Sequence, residues 1–132
     1  MAFLLDTNIA IHARDGHDRV LDKLLEHDGQ VVLSVLSLVE LQRGLYADPA
    51  QSALRRARTD ALLEGLPIIP FDEAAAAAYG DIIARCGRVR GRDYDRMIGA
   101  HSLSTASVLV TNNLADFRDI PGLSLVDWTA NT

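Results

Sequence analysis

The sequence predicts one α/β domain on a mostly parallel sheet of about five strands, with helices on both faces. Three observations carry that expectation. Short runs such as Phe3-Leu4-Leu5, Val31-Val32-Leu33 and Val108-Leu109-Val110 are apolar throughout, with no polar face. Segments of helical periodicity separate them, which is the pattern of parallel winding in a sheet covered on both sides. The length, 132 residues, suits a single domain spanning 1–132 and leaves no room for two ordinary ones.

Taken in order, Ala2–Leu5 is a buried strand that stops at Asp6-Thr7-Asn8, and Thr7 or Asn8 is a natural cap for a helix through Ala13. Asp18–His27 carries Val20, Leu21, Leu24 and Leu25 at helical spacing, and Gly29 ends it. Gln30–Ser34 is a second strand. Ser37–Tyr46 reads as a helix, with Ser37 at the N-cap and Glu40 three residues on, a capping-box pattern. Asp48-Pro49 starts another helix, which runs to Gly65. Pro67–Phe71 is a third strand, and Asp72 caps a helix that reaches about Arg85. Gly87–Arg92 is a basic loop. Asp93–Ala106 is a helix, Val108–Thr111 a strand, Ala115–Asp119 a helical turn and Leu123–Val126 a last strand.

Composition narrows the function classes. Apolar residues are 48% and charged residues 23% of the chain, so it is not a disordered tail. Lys and Arg number 13 against 18 Asp and Glu, a net charge of −5. Such a chain is no general nucleic-acid coat, because phosphate affinity needs clustered cations. A nucleic-acid enzyme whose carboxylates are masked by metal stays open. Cys86 is the sole cysteine, which excludes a disulfide framework or a cysteine zinc site. Met1–Asp6 has no basic segment before its short apolar run, and no stretch approaches the length of a membrane span. The expectation is a cytoplasmic protein.

In parallel α/β sheets, sites form beyond the carboxyl ends of the strands. Asp6 follows the first strand directly, although an aspartate there also serves as a helix cap. Glu40 sits among Leu36, Leu38, Val39 and Leu41, where a carboxylate is costly unless paired or metal-bound; the other reading is a capping box with Ser37. Asp95 opens its helix, where the helix dipole also welcomes an acid; Asp93 is then the N-cap, and Arg96 could pair with either. Asn112, Asn113 and Asp116 follow the fourth strand, where Asn-Asn also suits a turn. Each acid follows a strand or starts the helix feeding one. Parallel winding gathers those ends at one sheet edge, and repelling carboxylates ask for a hard cation, Mg2+ or Mn2+ rather than zinc.

Four blocks in order resemble the PIN-domain ribonucleases, specifically the VapC-type toxins of bacterial toxin–antitoxin pairs. They are Phe3-Leu4-Leu5-Asp6-Thr7-Asn8; Ser37-Leu38-Val39-Glu40-Leu41 with Gly44; Tyr94 to His101; and Leu109 to Asn113 with Asp116-Phe117, Ile120 to Leu123 and Trp128. The Asp-Arg-Met-Ile-Gly-Ala-His and Thr-Asn-Asn stretches resemble most the subgroup that cuts initiator transfer RNA. The resemblance implies a PIN-like three-layer fold and Mg2+-dependent endoribonuclease activity leaving 5′-phosphate and 3′-hydroxyl ends. It implies a homodimer, and a VapB-type antitoxin that blocks the acidic pocket and makes the only contact with promoter DNA. It carries the acidic positions onto Asp6, Glu40 and Asp95. Where the family commonly has a further acid, this chain has Asn113, a neutral and weaker ligand, and Asp116 three residues later is the substitute.

Asp6 and Asp95 are expected to hold the metal, with Glu40 as a further ligand or a positioner of the attacking water. Crowding among them should raise at least one carboxyl pKa through like-charge repulsion. Arg85, Arg88, Arg90, Arg92 and Arg96 place five of the thirteen basic residues within twelve positions. Arg88, Arg90 and Arg92 are read as an RNA-binding rim, the alternative being a solvated loop. His101 lies on the apolar stripe of its helix and reads as a core histidine. Two rival functions are a catalytically inactive PIN-like interaction module and a phospho-accepting or phosphatase domain. Asp6, Glu40 and Asp95 together argue against the first. The second needs a lysine at the site, and Lys23, the only lysine, lies on an exposed helix face.

Overall fold

The computed structural model describes residues 1–130. Its strands are β1 (Phe3–Leu5), β2 (Val31–Ser34), β3 (Ile68–Ile69), β4 (Val108–Val110) and β5 (Leu125–Val126). Its helices are α1 (Thr7–Arg14), α2 (Asp18–Glu26), α3 (Val35–Tyr46), α4 (Ser52–Leu63), α5 (Glu73–Cys86) and α6 (Asp93–Ser104). Short 3-10 turns at Pro49–Gln51 and Leu114–Asp116 complete it.

All strand pairings are parallel, in the order β3-β2-β1-β4-β5. Leu5 stands beside Leu33 on one side and Val110 on the other. Side chains alternate across the sheet, so two cores form. Leu5, Leu33 and Val110 pack with Ile9, Ala10, Val20, Leu41 and Trp128 under α1 to α4. Leu4 and Leu109 point the other way, into Ile82, Ile98, Phe117 and Ile120 under α5 and α6. Leu4, Leu5, Leu33 and Leu109 are wholly buried, as continuous apolar runs require. Gly99 lets α6 approach closely: a Cβ there would stand 2.8 Å from Ile120 Cδ1.

The chain winds outward from β1 through β2 to β3, then crosses to the far side of β1 for β4 and β5. Winding reverses between β1 and β4, and that reversal opens a crevice at the carboxyl ends of these two strands.

Several local expectations are corrected. Asp6, not Thr7 or Asn8, caps α1: its backbone is extended and its carboxylate accepts the Thr7 N–H. Strand β2 runs into α3 with no loop, so Ser34 is the cap and accepts the Leu36 N–H at 3.1 Å. Ser37 is therefore buried within the helix, and the capping box does not form. Asp93 is the first residue of α6, not its cap; Arg92 holds the cap position without a side-chain bond. The segment from Asp48 begins as a 3-10 turn, because Asp48 caps Ala50 at 3.1 Å before α4 starts. The last strand is only Leu125–Val126.

Candidate active site

The crevice is lined from four places in the chain. Asp6 leaves β1 with its N–H still in the ladder, donating to Val110 O at 2.8 Å. Its side chain is 6% exposed. Oδ1 accepts the Thr7 N–H at 2.8 Å and Oδ2 accepts the Thr111 hydroxyl at 2.9 Å. Thr111 in turn accepts the Asn113 N–H at 3.0 Å, so the loop after β4 is tied to Asp6. Burial pushes the Asp6 carboxyl up to about 6 from 3.8, and the charges of Asp95 and Glu40 push the same way. The hydrogen bonds from Thr111 and Thr7 oppose the rise.

Glu40 is half-buried on the second turn of α3. Thr7 Oγ1 donates to its Oε1 at 2.6 Å and lies 2.9 Å from Ser37 Oγ. Oε2 faces Arg43 Nη2 at 3.7 Å. One threonine hydroxyl thus fixes the glutamate while its own backbone N–H fixes Asp6. Asp95 is half-buried in the first turn of α6. Burial raises its pKa, Asp116 and Glu40 raise it further, and Arg92 and Arg96 act against them. Asp116 is half-buried in the 3-10 turn and pairs with Arg92 at 3.3 Å.

Asp6, Glu40 and Asp95 therefore lie within electrostatic reach of one another, and Asp116 within reach of Asp95. The expected rise in carboxyl pKa is present, but burial is its first cause and repulsion the lesser one. The Asn113 side chain is exposed, and only its backbone enters the network. The sequence reading missed the supporting hydroxyls of Thr7 and Thr111. Both are small polar residues flanking an acid or an Asn pair at a strand end, and that position is the signal that could have found them.

Acids accompany two of the three arginines of the expected rim. Arg88 makes two bonds to Asp93, at 3.1 and 2.9 Å, and Arg92 is held by Asp116. Arg96 is 1% exposed and grips Asp119 with two bonds, at 2.9 and 2.7 Å, rather than Asp93 or Asp95. Acids close in space neutralise the cations that are close in sequence. Arg90 remains exposed. His101 is a core histidine: it is 1% exposed, its Nδ1 lies 2.7 Å from Ser34 Oγ, and burial lowers its pKa. Lys23 pairs with Glu26 at 3.3 Å on the surface, which leaves the phosphatase reading without its lysine.

The donor set is carboxylate oxygen alone, which suits a hard divalent cation. Among the described residues no three acids, histidines or cysteines converge closely enough to chelate an ion by themselves. Mg2+ commonly keeps several of its waters and takes only one or two carboxylates directly. No helix among the described residues is long and apolar enough to cross a membrane.

Comparison with known proteins gives the family. The PIN domain family matches residues 3–123. The tRNA(fMet)-specific endonuclease VapC of Salmonella typhimurium is 33% identical, over 97% of this chain and 98% of that protein. Ribonuclease VapC2 of Rickettsia felis is 31% identical over the same shares. Among solved structures, VapBC2 from Rickettsia felis, bound to a promoter DNA fragment, superposes with a TM-score of 0.86 at 29% identity, covering 97% of this chain and 99% of that one. DNA-bound VapBC from Salmonella typhimurium gives 0.85 at 29% identity, covering 97% and 98%. With its parallel sheet, its acids at the switch point and these relatives over nearly its full length, the chain belongs to the PIN-domain family, among the VapC ribonucleases.

Proposed function

We propose that this protein is the toxin half of a toxin–antitoxin pair, an Mg2+-dependent endoribonuclease that cuts a transfer RNA in the cytoplasm. A VapB-type antitoxin restrains it and alone contacts promoter DNA, and the toxin works as a homodimer. The observation that carries the reading is the gathering of Asp6, Glu40, Asp95 and Asp116 around one crevice. Relatives named as tRNA endonucleases, and VapBC complexes bound to promoter DNA, support the substrate and the partner.

Asp6 and Asp95 would hold Mg2+, with Asp116 or the Asn113 carbonyl completing the set. When bound, the ion would supply a water of lowered pKa and screen the phosphate charge. Thr7 and Thr111 each hold one oxygen of Asp6, so the carboxylate is positioned before anything binds. Glu40, fixed at Oε1 by Thr7 and facing Arg43 with Oε2, would orient the attacking water. Arg92 shares the charge of Asp116 until a phosphate competes for it. A restraining antitoxin would place an arginine among these carboxylates, where a guanidinium can bridge an acid with two bonds.

Expression in a bacterial host tests the reading. Wild type should arrest growth, Asp95→Asn should not, and co-expression of the adjacent antitoxin gene should restore growth. Equal arrest by wild type and Asp95→Asn would refute the assignment of the acidic crevice.

A further inference from the structure

Arginines bind phosphate well when no acid already holds them. Arg88, Arg92 and Arg96 are held by Asp93, Asp116 and Asp119. The structure reveals a second cationic group on the Glu40 side of the crevice, built by α3 and α4. Arg43 reaches from α3 toward Glu40 and is 75% exposed. Arg55 donates to Gly44 O at 3.0 Å, which fixes α4 across the end of α3. Arg56 donates to the Tyr46 hydroxyl at 2.7 Å, and its guanidinium carbon lies 5.9 Å from the centre of that ring. Arg58 and Arg55 both lie near Asp15. Among the described residues no ion pair holds Arg55, Arg56 or Arg58, while Arg43 pairs with Glu40 at 3.7 Å, looser than the 2.9 and 2.7 Å pairs of Arg88 and Arg96.

Tyr46 is the aromatic of this group and is 66% exposed. Val39, Arg43 and Tyr46 fall at i, i+4 and i+7, one solvent-facing stripe of α3 that begins beside Glu40. An exposed ring fixed at its edge by an arginine, with cations on either side, has the parts of a single-strand platform: a π-face for a base and charges for its phosphates. A second copy of the chain suits this face poorly, because a two-fold contact centred on Tyr46 would set Arg43 and Arg56 against their own images.

We propose that Arg43, Tyr46 and Arg56 form a platform for single-stranded RNA beside the cleavage crevice, with one base stacked on Tyr46 and flanking phosphates on the two arginines. The inference rests on the nuclease reading above and names where its substrate lies. It adds to the Arg88–Arg92 loop, where Asp93 and Asp116 hold two of the three arginines, a second RNA contact on the α3–α4 hairpin, where no ion pair holds Arg56 among the described residues.

The test reads binding of a fluorescein-labelled single-stranded RNA by anisotropy, in an Asp95→Asn background so that nothing is cut. Added Tyr46→Ala should weaken binding roughly 5- to 150-fold, the worth of one stacked base, and Tyr46→Phe should bind nearly as the background does. Arg43→Gln with Arg56→Gln should reduce the log–log salt slope by about 1.4, two phosphate contacts of about 0.7 each. Unchanged affinity in Tyr46→Ala, with the salt slope intact in the arginine pair, overturns the platform. If Tyr46→Ala instead turns a dimer into a monomer at unchanged affinity, the face is an interface between copies and the platform is equally refuted. If the background protein binds no RNA at low salt, the nuclease reading itself fails, which is a separate result.

Discussion

Replacing Asp6 by Asn should make the metal-free protein more stable at neutral pH while removing its response to Mg2+. The carboxyl titrates near 6 in the folded protein against 3.8 ordinarily. A difference of that size is about 3 kcal/mol of linkage. The folded pKa is raised, so the contribution is fully present below pH 3.8 and is lost as pH climbs through 6. About half of that loss is already incurred at about pH 5, and all of it by about pH 7.5. Asn keeps the cap on Thr7 but cannot accept the Thr111 hydroxyl, a cost of about 1 kcal/mol that does not vary with pH. The variant should therefore exceed wild type by about 2 kcal/mol near pH 7.5, and the gap should shrink by about 1.4 kcal/mol near pH 5. Asp15, Asp93 and Asp119 have lowered pKa values through their bonds to Arg14, Arg88 and Arg96. Those groups act in both proteins and cancel in the difference. Urea titrations at the two pH values, with EDTA present, measure it. Added Mg2+ should stabilise wild type by about 2.7 kcal/mol at a hundredfold excess over Kd, and the variant far less. A gap that is the same at both pH values, or an equal gain from Mg2+, would refute the burial of an ionisable ligand at this position.

Asp119→Ala leaves the buried Arg96 guanidinium without its partner and should cost about 2–3 kcal/mol in urea unfolding, toward the low side because Asp119 is half-exposed. Gly99→Ala drives a Cβ against Ile120 and should cost about 1–3 kcal/mol, read as a fall in Tm. Arg88→Glu with Arg90→Glu should change RNA affinity less than Arg43→Gln with Arg56→Gln, because Asp93 already holds Arg88; competition binding at one salt concentration compares them. Added Mg2+ should weaken antitoxin binding, read by titration calorimetry, if an arginine of the partner sits among Asp6, Glu40 and Asp95.

The architecture was legible because each strand is apolar throughout and each helix has a periodic apolar face, signals that local residues carry alone. The direct acids were legible for a related reason: strand ends are visible in the sequence, and parallel winding brings them together. Caps were misread at Ser37 and Asp93, because several capping residues stood in a row and only the absence of a loop after β2 selects Ser34. The Thr7 and Thr111 hydroxyls act across 33 and 105 residues of chain, a separation that no periodicity reports. Charge pairing failed for the same reason. Arg96 finds its acid at Asp119, 23 residues on, rather than at the neighbouring Asp93 or Asp95.

If the gathered carboxylates make this protein a metal-dependent ribonuclease, cleavage must need both the metal and the acids. Incubating purified protein with total RNA, with Mg2+ or with EDTA, and mapping the ends tests it most directly. Wild type with Mg2+ should cut a transfer RNA at a discrete position, leaving 5′-phosphate and 3′-hydroxyl ends, and should cut nothing with EDTA. Asp95→Asn should cut nothing in either buffer. Cleavage that survives EDTA, or that Asp95→Asn retains in full, would contradict the account.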